Sequence, residues 1–268
     1  MRTARKARKA GFHVIQADLY QDDVEKGKIH EIDILAYKAA PTEDGSHIQV
    51  TFLIECKATE KPFLLFDGGG SINEKGAAIS HVMSEDALKF VETWDKEKVA
   101  VNRELFPVNK RFSFGVTQAL REKKDQDIAW LAMSSVISAA FAKSKKADLI
   151  AKRASTGKVI EFIFPVIVTS NRLFSCVLDE KNESSIEEVN SGIVSWRNPT
   201  IGQPNVAIDI ITEACLDDFL AAKARGSAAF VENLAREINR QQTARRIAAE
   251  TNSLLPGRGD LRRRIQRS

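Results

Sequence analysis

The first third of the chain alternates between apolar and polar positions. In HIQVTFLIECKA, residues 47–58, the even positions Ile48, Val50, Phe52, Ile54, Cys56 and Ala58 are all apolar, which leaves Thr51, Leu53, Glu55 and Lys57 at odd positions. Side chains of a strand point to opposite faces in turn, so this predicts a strand with one apolar face and with Glu55 and Lys57 side by side on the other. EIDILAYK, residues 31–38, has the same parity: Ile32, Ile34 and Ala36 share a face and leave Glu31 and Asp33 opposite. GFHVIQADLYQ at 11–21 reads as a strand ahead of these two, and the turn-rich PTEDGS closes the later pair into a hairpin.

Further along, KPFLLF at 61–66 is a short apolar run, and DGGGS after it reads as a flexible loop without the GK[ST] of a phosphate-gripping loop. Helical spacing covers 77–95 and about 126–153, with RFSFGVT as a strand between them. KVIEFIFPVIVTS, broken at Pro165, RLFSCVLDE and NVAIDIITEA supply three more strand candidates. A helix DDFLAAKA follows, then Gly226, then the longer AAFVENLAREINRQQTARRIAAE, whose Phe230, Leu234 and Ile238 form a narrow stripe suited to docking on the body. The economical assembly is α/β: a mixed sheet with flanking helices. Trp94, Trp130 and Trp196 read as packing residues, and the four scattered histidines as surface or core residues.

With 43% apolar residues, a chain of 268 residues can bury a substantial core. No apolar run approaches the roughly 18 residues of a membrane span, and the basic MRTARKARKA does not lead into a signal-peptide core. The expectation is a cytoplasmic protein with no membrane partner. Three widely spaced cysteines without a CxxC pair point to reduced thiols rather than disulfides or zinc. Net charge is +4, concentrated at the ends: Arg2, Arg5, Lys6, Arg8 and Lys9 at the start, and Arg262, Arg263 and Arg264 near the finish. These are the candidate contacts to a nucleic-acid backbone, although charge runs taken alone are more often solvated tails.

The charged faces of the hairpin carry the chemistry. A turn centred in PTEDGS pairs positions whose numbers sum to about 88, setting Asp33 opposite Glu55 and Glu31 opposite Lys57, with β-carbons roughly 4.5 to 5.5 Å apart. Three carboxylates on one patch repel each other, and a divalent cation removes the conflict. Carboxylate oxygens suit Mg²⁺, with Mn²⁺ as a substitute, and such an ion can polarise a phosphodiester and lower the pKa of a bound water. Lys57 is placed to orient that water or neutralise charge on the phosphate.

Glu31-Ile-Asp33, a turn, then Ile54-Glu55-Cys56-Lys57 resembles the PD-(D/E)XK nuclease superfamily, in the variant without the literal Pro-Asp. The preceding GFHVIQADLYQDDVEKGKIHEID is similar to its Mrr-like and Holliday-junction-resolvase-like branches, and the resemblance covers roughly residues 1–60. It implies a restriction-endonuclease-like fold, with a mixed central sheet flanked by helices and a C-terminal strand and helix elaboration. It also implies Asp33 and Glu55 as Mg²⁺ ligands, the Cys56 backbone carbonyl as a further ligand, Lys57 as a catalytic residue and Glu31 as an accessory acid. Many members carry another Glu in the first helix, whereas MRTARKARKA contains no acid.

The expected organisation is a nuclease-like domain over 1–170, a C-terminal elaboration over 171–250 that either stands apart or belongs to the same domain, and a basic tail over 251–268. The expected activity is Mg²⁺-dependent hydrolysis of DNA phosphodiester bonds. The alternative is a nucleic-acid-binding or assembly subunit that keeps the fold without cleaving. DNA against RNA, and a homodimer against a monomer, stay open at this point.

Overall fold

The computed structural model describes residues 2–21, 28–106, 110–120, 122, 124–154, 157–178, 184–196 and 205–254. In chain order the elements are α1 (Arg2–Lys9), β1 (His13–Gln21), β2 (Ile29–Pro41), β3 (His47–Lys57), β4 (Phe63–Ser71), α2 (Glu74–Ile79), β5 (Val82–Met83), α3 (Glu85–Glu92) and α4 (Lys96–Val101). They continue with β6 (Arg111–Gln118), α5 (Ile128–Arg153), β7 (Val159–Thr169), β8 (Leu173–Leu178), β9 (Ser184–Val189), β10 (Ser191–Trp196), β11 (Val206–Thr212), a 3-10 turn at Glu213–Cys215 and α6 (Leu216–Leu254). No described helix is long and apolar enough to cross a membrane.

The described strands form one mixed sheet in the order β1-β2-β3-β7-β11-β10-β6-β4-β8-β9, with β5 paired to β7. The β1-β2-β3 meander is antiparallel, and β3, β7 and β11 run parallel. Parallel neighbours require a crossover, and α5 ends the one from β3 to β7. Two cores cover the middle of the sheet. On one face Ile34, Phe52, Ile54, Phe162, Phe164 and Val166 pack with α1, α3 and α6, including Phe230, Leu234 and Ile238 of the stripe. On the other, Leu35, Leu53, Ile163, Ile167 and Ile210 pack with Ala132, Met133, Val136 and Ala140 of α5. Burial on both faces explains why β3 and β7 read as almost unbroken apolar runs. Because β11 lies between β7 and β10, and β4 and β6 pair with β8 and β10, residues on both sides of position 170 build this one sheet.

Several local expectations are corrected. DGGGS belongs to β4, which continues to Ser71 through two register irregularities instead of ending as a loop. The helical stretch expected at 77–95 is divided into α2, β5 and α3, because Ser84 accepts a capping bond from the Ala87 N–H and starts a new helix there. Pro165 does not break β7. The strand's second neighbour changes from β5, at Phe162 and Ile163, to β11, from Val166 onward, and Pro165 falls in the gap where a missing N–H costs least. Gly226 lies inside a continuous α6, where a β-carbon would stand 2.9 Å from Cβ of Glu104, so the residue allows close approach rather than a break.

One buried polar group ties the parallel strands together. Glu161 of β7, 3% exposed, accepts from Gln49 Nε2 at 2.8 Å and Thr51 Oγ1 at 2.6 Å on β3, and Lys143 of α5 lies 3.4 Å away. His81 is also buried, its ring between Phe106 and Phe164, and burial pushes its pKa down to about 3, so it is a neutral core residue near pH 7.

Candidate functional site

The ladder between β2 and β3 runs from Pro41 opposite His47 to Ile34 opposite Ile54, every pair summing to 88 as the turn implied. It stops one pair short of Asp33 and Glu55. There Oδ2 of Asp33 accepts from the backbone N–H of Cys56 at 2.7 Å, so a side chain replaces the strand acceptor and the hairpin parts. Across from Asp33 on β1, between the pairs Gln16–Ile34 and Asp18–Ile32, Ala17 has φ of 54°. The left-handed region costs a non-glycine residue roughly 1–2 kcal/mol, and strain of this kind clusters at functional sites. The face assignment also changes here. Ile32 packs with Leu35 and Leu53 on the α5 side, not with Ile34 and Ala36 as strict alternation predicted.

Beyond the ladder, Lys57 Nζ donates to Glu55 Oε1 at 2.6 Å. Glu55 is only 6% exposed, and its Oε2 has no hydrogen-bond partner. Burial pushes the Glu55 carboxyl above its usual range; the Asp33 charge adds to the rise, while Lys57 and, weakly, the Ser135 hydroxyl of α5 oppose it. The Cys56 thiol is pushed up by burial, with smaller upward contributions from Asp33 and Glu55. Asp33, Glu55 and Lys57 therefore act on one another electrostatically at the carboxyl end of β3.

A cleft of about 440 Å³ opens beside them, at the carboxyl ends of the three parallel strands. Ligands of α/β sheets commonly bind at such an edge. Asp33, Lys57, Ser170 and Glu213 line it, together with Arg2 of α1. Glu55 stands behind this wall, on the α5 side. Glu31 is exposed and lines the cleft, but the pairing has ended before it can face Lys57 across the ladder. Gln16 lines the cleft too, whereas Tyr20 donates to the Ser135 carbonyl at 3.1 Å and stacks on His30. Gln118 donates to Thr59 Oγ1 at 2.7 Å and so braces the loop that follows Lys57.

Among the described residues, no group of three His, Cys, Asp or Glu side chains is close enough to hold a metal. The donors for a cation are fewer: Oδ1 of Asp33, the unpartnered Oε2 of Glu55 and the strand backbone at Cys56. That set fits a hard ion such as Mg²⁺, which uses one or two carboxylates and keeps several waters.

The basic residues of α1 have partly structural partners. Arg2 lies 3.4 Å from Glu213 and Lys6 lies 2.9 Å from Asp217, pinning α1 to the start of α6, and Arg8 donates to Gln16. Arg5 and Lys9 are exposed. Arg262, Arg263 and Arg264 lie outside the described residues. The sequence reading missed Glu213, Ser170 and Ser135. Glu213 and Ser170 directly follow strands, a position that marks the ligand edge of a parallel sheet; Ser135 sits mid-helix and carries no such signal.

The raised Glu55 carboxyl sets a pH dependence. The folded state holds this proton more tightly than the unfolded chain, so the stabilisation is fully present below about pH 4.5 and is lost as pH rises through the folded value. Wild type should therefore lose stability relative to Glu55→Gln between pH 4.5 and neutrality in metal-free buffer. Urea midpoints at pH 4, 5, 6 and 7 measure this, and a constant gap between the two proteins would show that Glu55 titrates normally.

Compared with known protein families, with curated proteins and with solved structures, the chain finds no match.

Proposed function

We propose that the chain is a metal-dependent nuclease with a restriction-endonuclease-like fold, hydrolysing phosphodiester bonds of DNA at the cleft by the ends of β3 and β7. The observation that carries this reading is the trio at the parted hairpin. Lys57 is held 2.6 Å from a buried Glu55 carboxylate whose second oxygen is unpartnered, and Asp33 adds negative charge beside it. An unpaired buried carboxylate oxygen is costly, and a site that binds a cation is a physical reason for keeping one.

In this reading Asp33, Glu55 and the Cys56 carbonyl hold Mg²⁺, which when bound polarises the phosphodiester and acidifies a water. Lys57 offsets the charge that builds on the phosphate. Glu31 lines the entrance as a further acid, and Arg2, Arg5, Lys6, Arg8 and Lys9 present positive charge on the adjacent helix. The tail arginines Arg262, Arg263 and Arg264 add to the attraction of a polyanion.

Incubation with supercoiled, linear, branched and single-stranded DNA, with Mg²⁺ or Mn²⁺, tests this proposal. Cleavage by wild type that is lost in Asp33→Ala and Glu55→Ala while binding persists is the expected result. Absence of metal-dependent cleavage on every substrate would sink it. A second reading, a nucleic-acid-binding subunit that does not cleave, is favoured by the bond from Cys56 N–H to Asp33, which already occupies one of the few donor oxygens. That subunit binds the same DNA and leaves it intact in both metals.

A further inference from the structure

Among the described residues, the two cores do not cover the whole sheet. On the side of α1, α3 and α6, those helices pack against β2, β3, β7 and β11. The strands beyond, β6, β4, β8 and β9, turn their other side chains to α5: Phe63, Leu65, Val116 and Leu173 belong to that core. Their opposite face, the one continuous with the α6 side, carries Phe66, Phe114, Phe174 and Ile186. Phe66 and Phe114 stack at 6.0 Å between ring centres with an interplanar angle of 24°, and Phe114 is 66% exposed. Arg172 lies over the Phe174 ring at 4.8 Å. It also pairs with Glu188, but both side chains are at least half exposed, so a phosphate can compete for the guanidinium.

We infer that this half-sheet, uncovered among the described residues, is a binding track for single-stranded nucleic acid, with unpaired bases stacking on Phe174, Phe66 and Phe114 and phosphates meeting Arg172. Three observations favour that occupant over a purely apolar one. Flat rings are displayed on an open sheet, where any base can stack on them. The Arg172 guanidinium stands among them, over the Phe174 ring. The face is also joined to the cleft by a short stretch of chain: Ser170 lines the cleft and donates its N–H to the Lys57 carbonyl, Asn171 bonds to the Thr59 carbonyl, and Arg172 begins the aromatic face. A strand lying along this stretch runs from the rings to the cleft. The inference deepens the nuclease reading by naming its substrate class as unpaired strands, and it rests on that reading for what happens at the cleft.

The test compares wild type with Phe114→Ala and Arg172→Ala, both surface changes, and with Phe174→Leu, which keeps an apolar side chain. A fluorescent oligo-dT and a duplex of equal length are titrated by anisotropy in EDTA, which removes any cleavage, and molecular mass is followed by light scattering. The expected result is tighter binding of oligo-dT than duplex by wild type, weakened about tenfold in Phe114→Ala and in Phe174→Leu, with weaker salt dependence in Arg172→Ala. Unchanged oligo-dT affinity in all three variants overturns the inference, even if metal-dependent cleavage is normal. A wild-type dimer that Phe114→Ala converts to monomer without changing oligo-dT affinity also overturns it and assigns the face to a second copy of the chain. Binding that follows the expected pattern with no cleavage in Mg²⁺ or Mn²⁺ upholds the track and sinks the nuclease reading instead.

Discussion

Lys57→Ala is expected to lower metal-dependent cleavage by roughly 10²- to 10³-fold or more, while nucleic-acid affinity changes by only a few-fold. Two effects add. The ammonium that would meet the phosphate is gone, and removing one group placed for transition-state charge costs about that much. Glu55 also loses its hydrogen-bonded cation, which is the larger of the influences holding its carboxyl down against burial. The carboxyl then rises further, and a protonated Glu55 is a poor ligand for a hard ion. The check pairs the carboxyl carbon shift of Glu55 followed against pH, which reports the lost ion pair, with single-turnover cleavage, which alone reports the lost contact to the phosphate. Lys57→Arg should restore a cation beside Glu55 but little of the rate, because a planar guanidinium does not reproduce a compact ammonium. Full activity in Lys57→Ala would remove the residue from the chemistry.

The second large effect concerns stability. Glu161→Ala should destabilise the protein by about 3–5 kcal/mol, read as a lowered urea midpoint with an unchanged slope. Glu161 sits between β3 and β7, accepting from Gln49 and Thr51 with Lys143 close by, and alanine leaves all three partners without it. Unpaired buried groups bear the full desolvation cost, which exceeds the gain from the bonds themselves. Glu161→Gln keeps an acceptor and nearly the same volume, so it should lose much less. Equal midpoints for Glu161→Ala and wild type would mean that the partners find water instead.

These strands also position the cleft, since the ends of β3 and β7 carry Lys57 and Ser170 into it. A loosened β3–β7 contact should therefore reach the cleft as well as the melting point. Arg2 and Glu213, both in the cleft wall, couple it in the same way to α1 and to the start of α6.

The hairpin was legible in the chain itself. Alternation fixes which residues of a strand share a face, and a short turn fixes which positions meet, so the register sum of 88 and the company of Glu55 with Lys57 follow from local rules alone. Helix spacing placed α5 and the stripe Phe230, Leu234 and Ile238 for the same reason: each signal repeats within one element. Parity failed at Asp33, where β1 enters the left-handed region at Ala17 and Asp33 bonds to Cys56 N–H, an interaction no alternation encodes. DGGGS and Pro165 misled because propensity is weak against the pairing that a neighbouring strand imposes.

What only the tertiary structure decided is where distant segments meet. Glu213 reaches the cleft because β11 inserts beside β7, and Glu161 becomes buried because α5 crosses over it. Arg2 and Lys6 are drawn toward acids more than two hundred positions away. Among the described residues, no helix on the α6 side packs against β6, β4, β8 or β9 as α6 does against β11, and this leaves the aromatic face open. Local sequence specifies the direction of each side chain from its own backbone; partners far along the chain are chosen by burial of the whole sheet, whose energy belongs to no single segment.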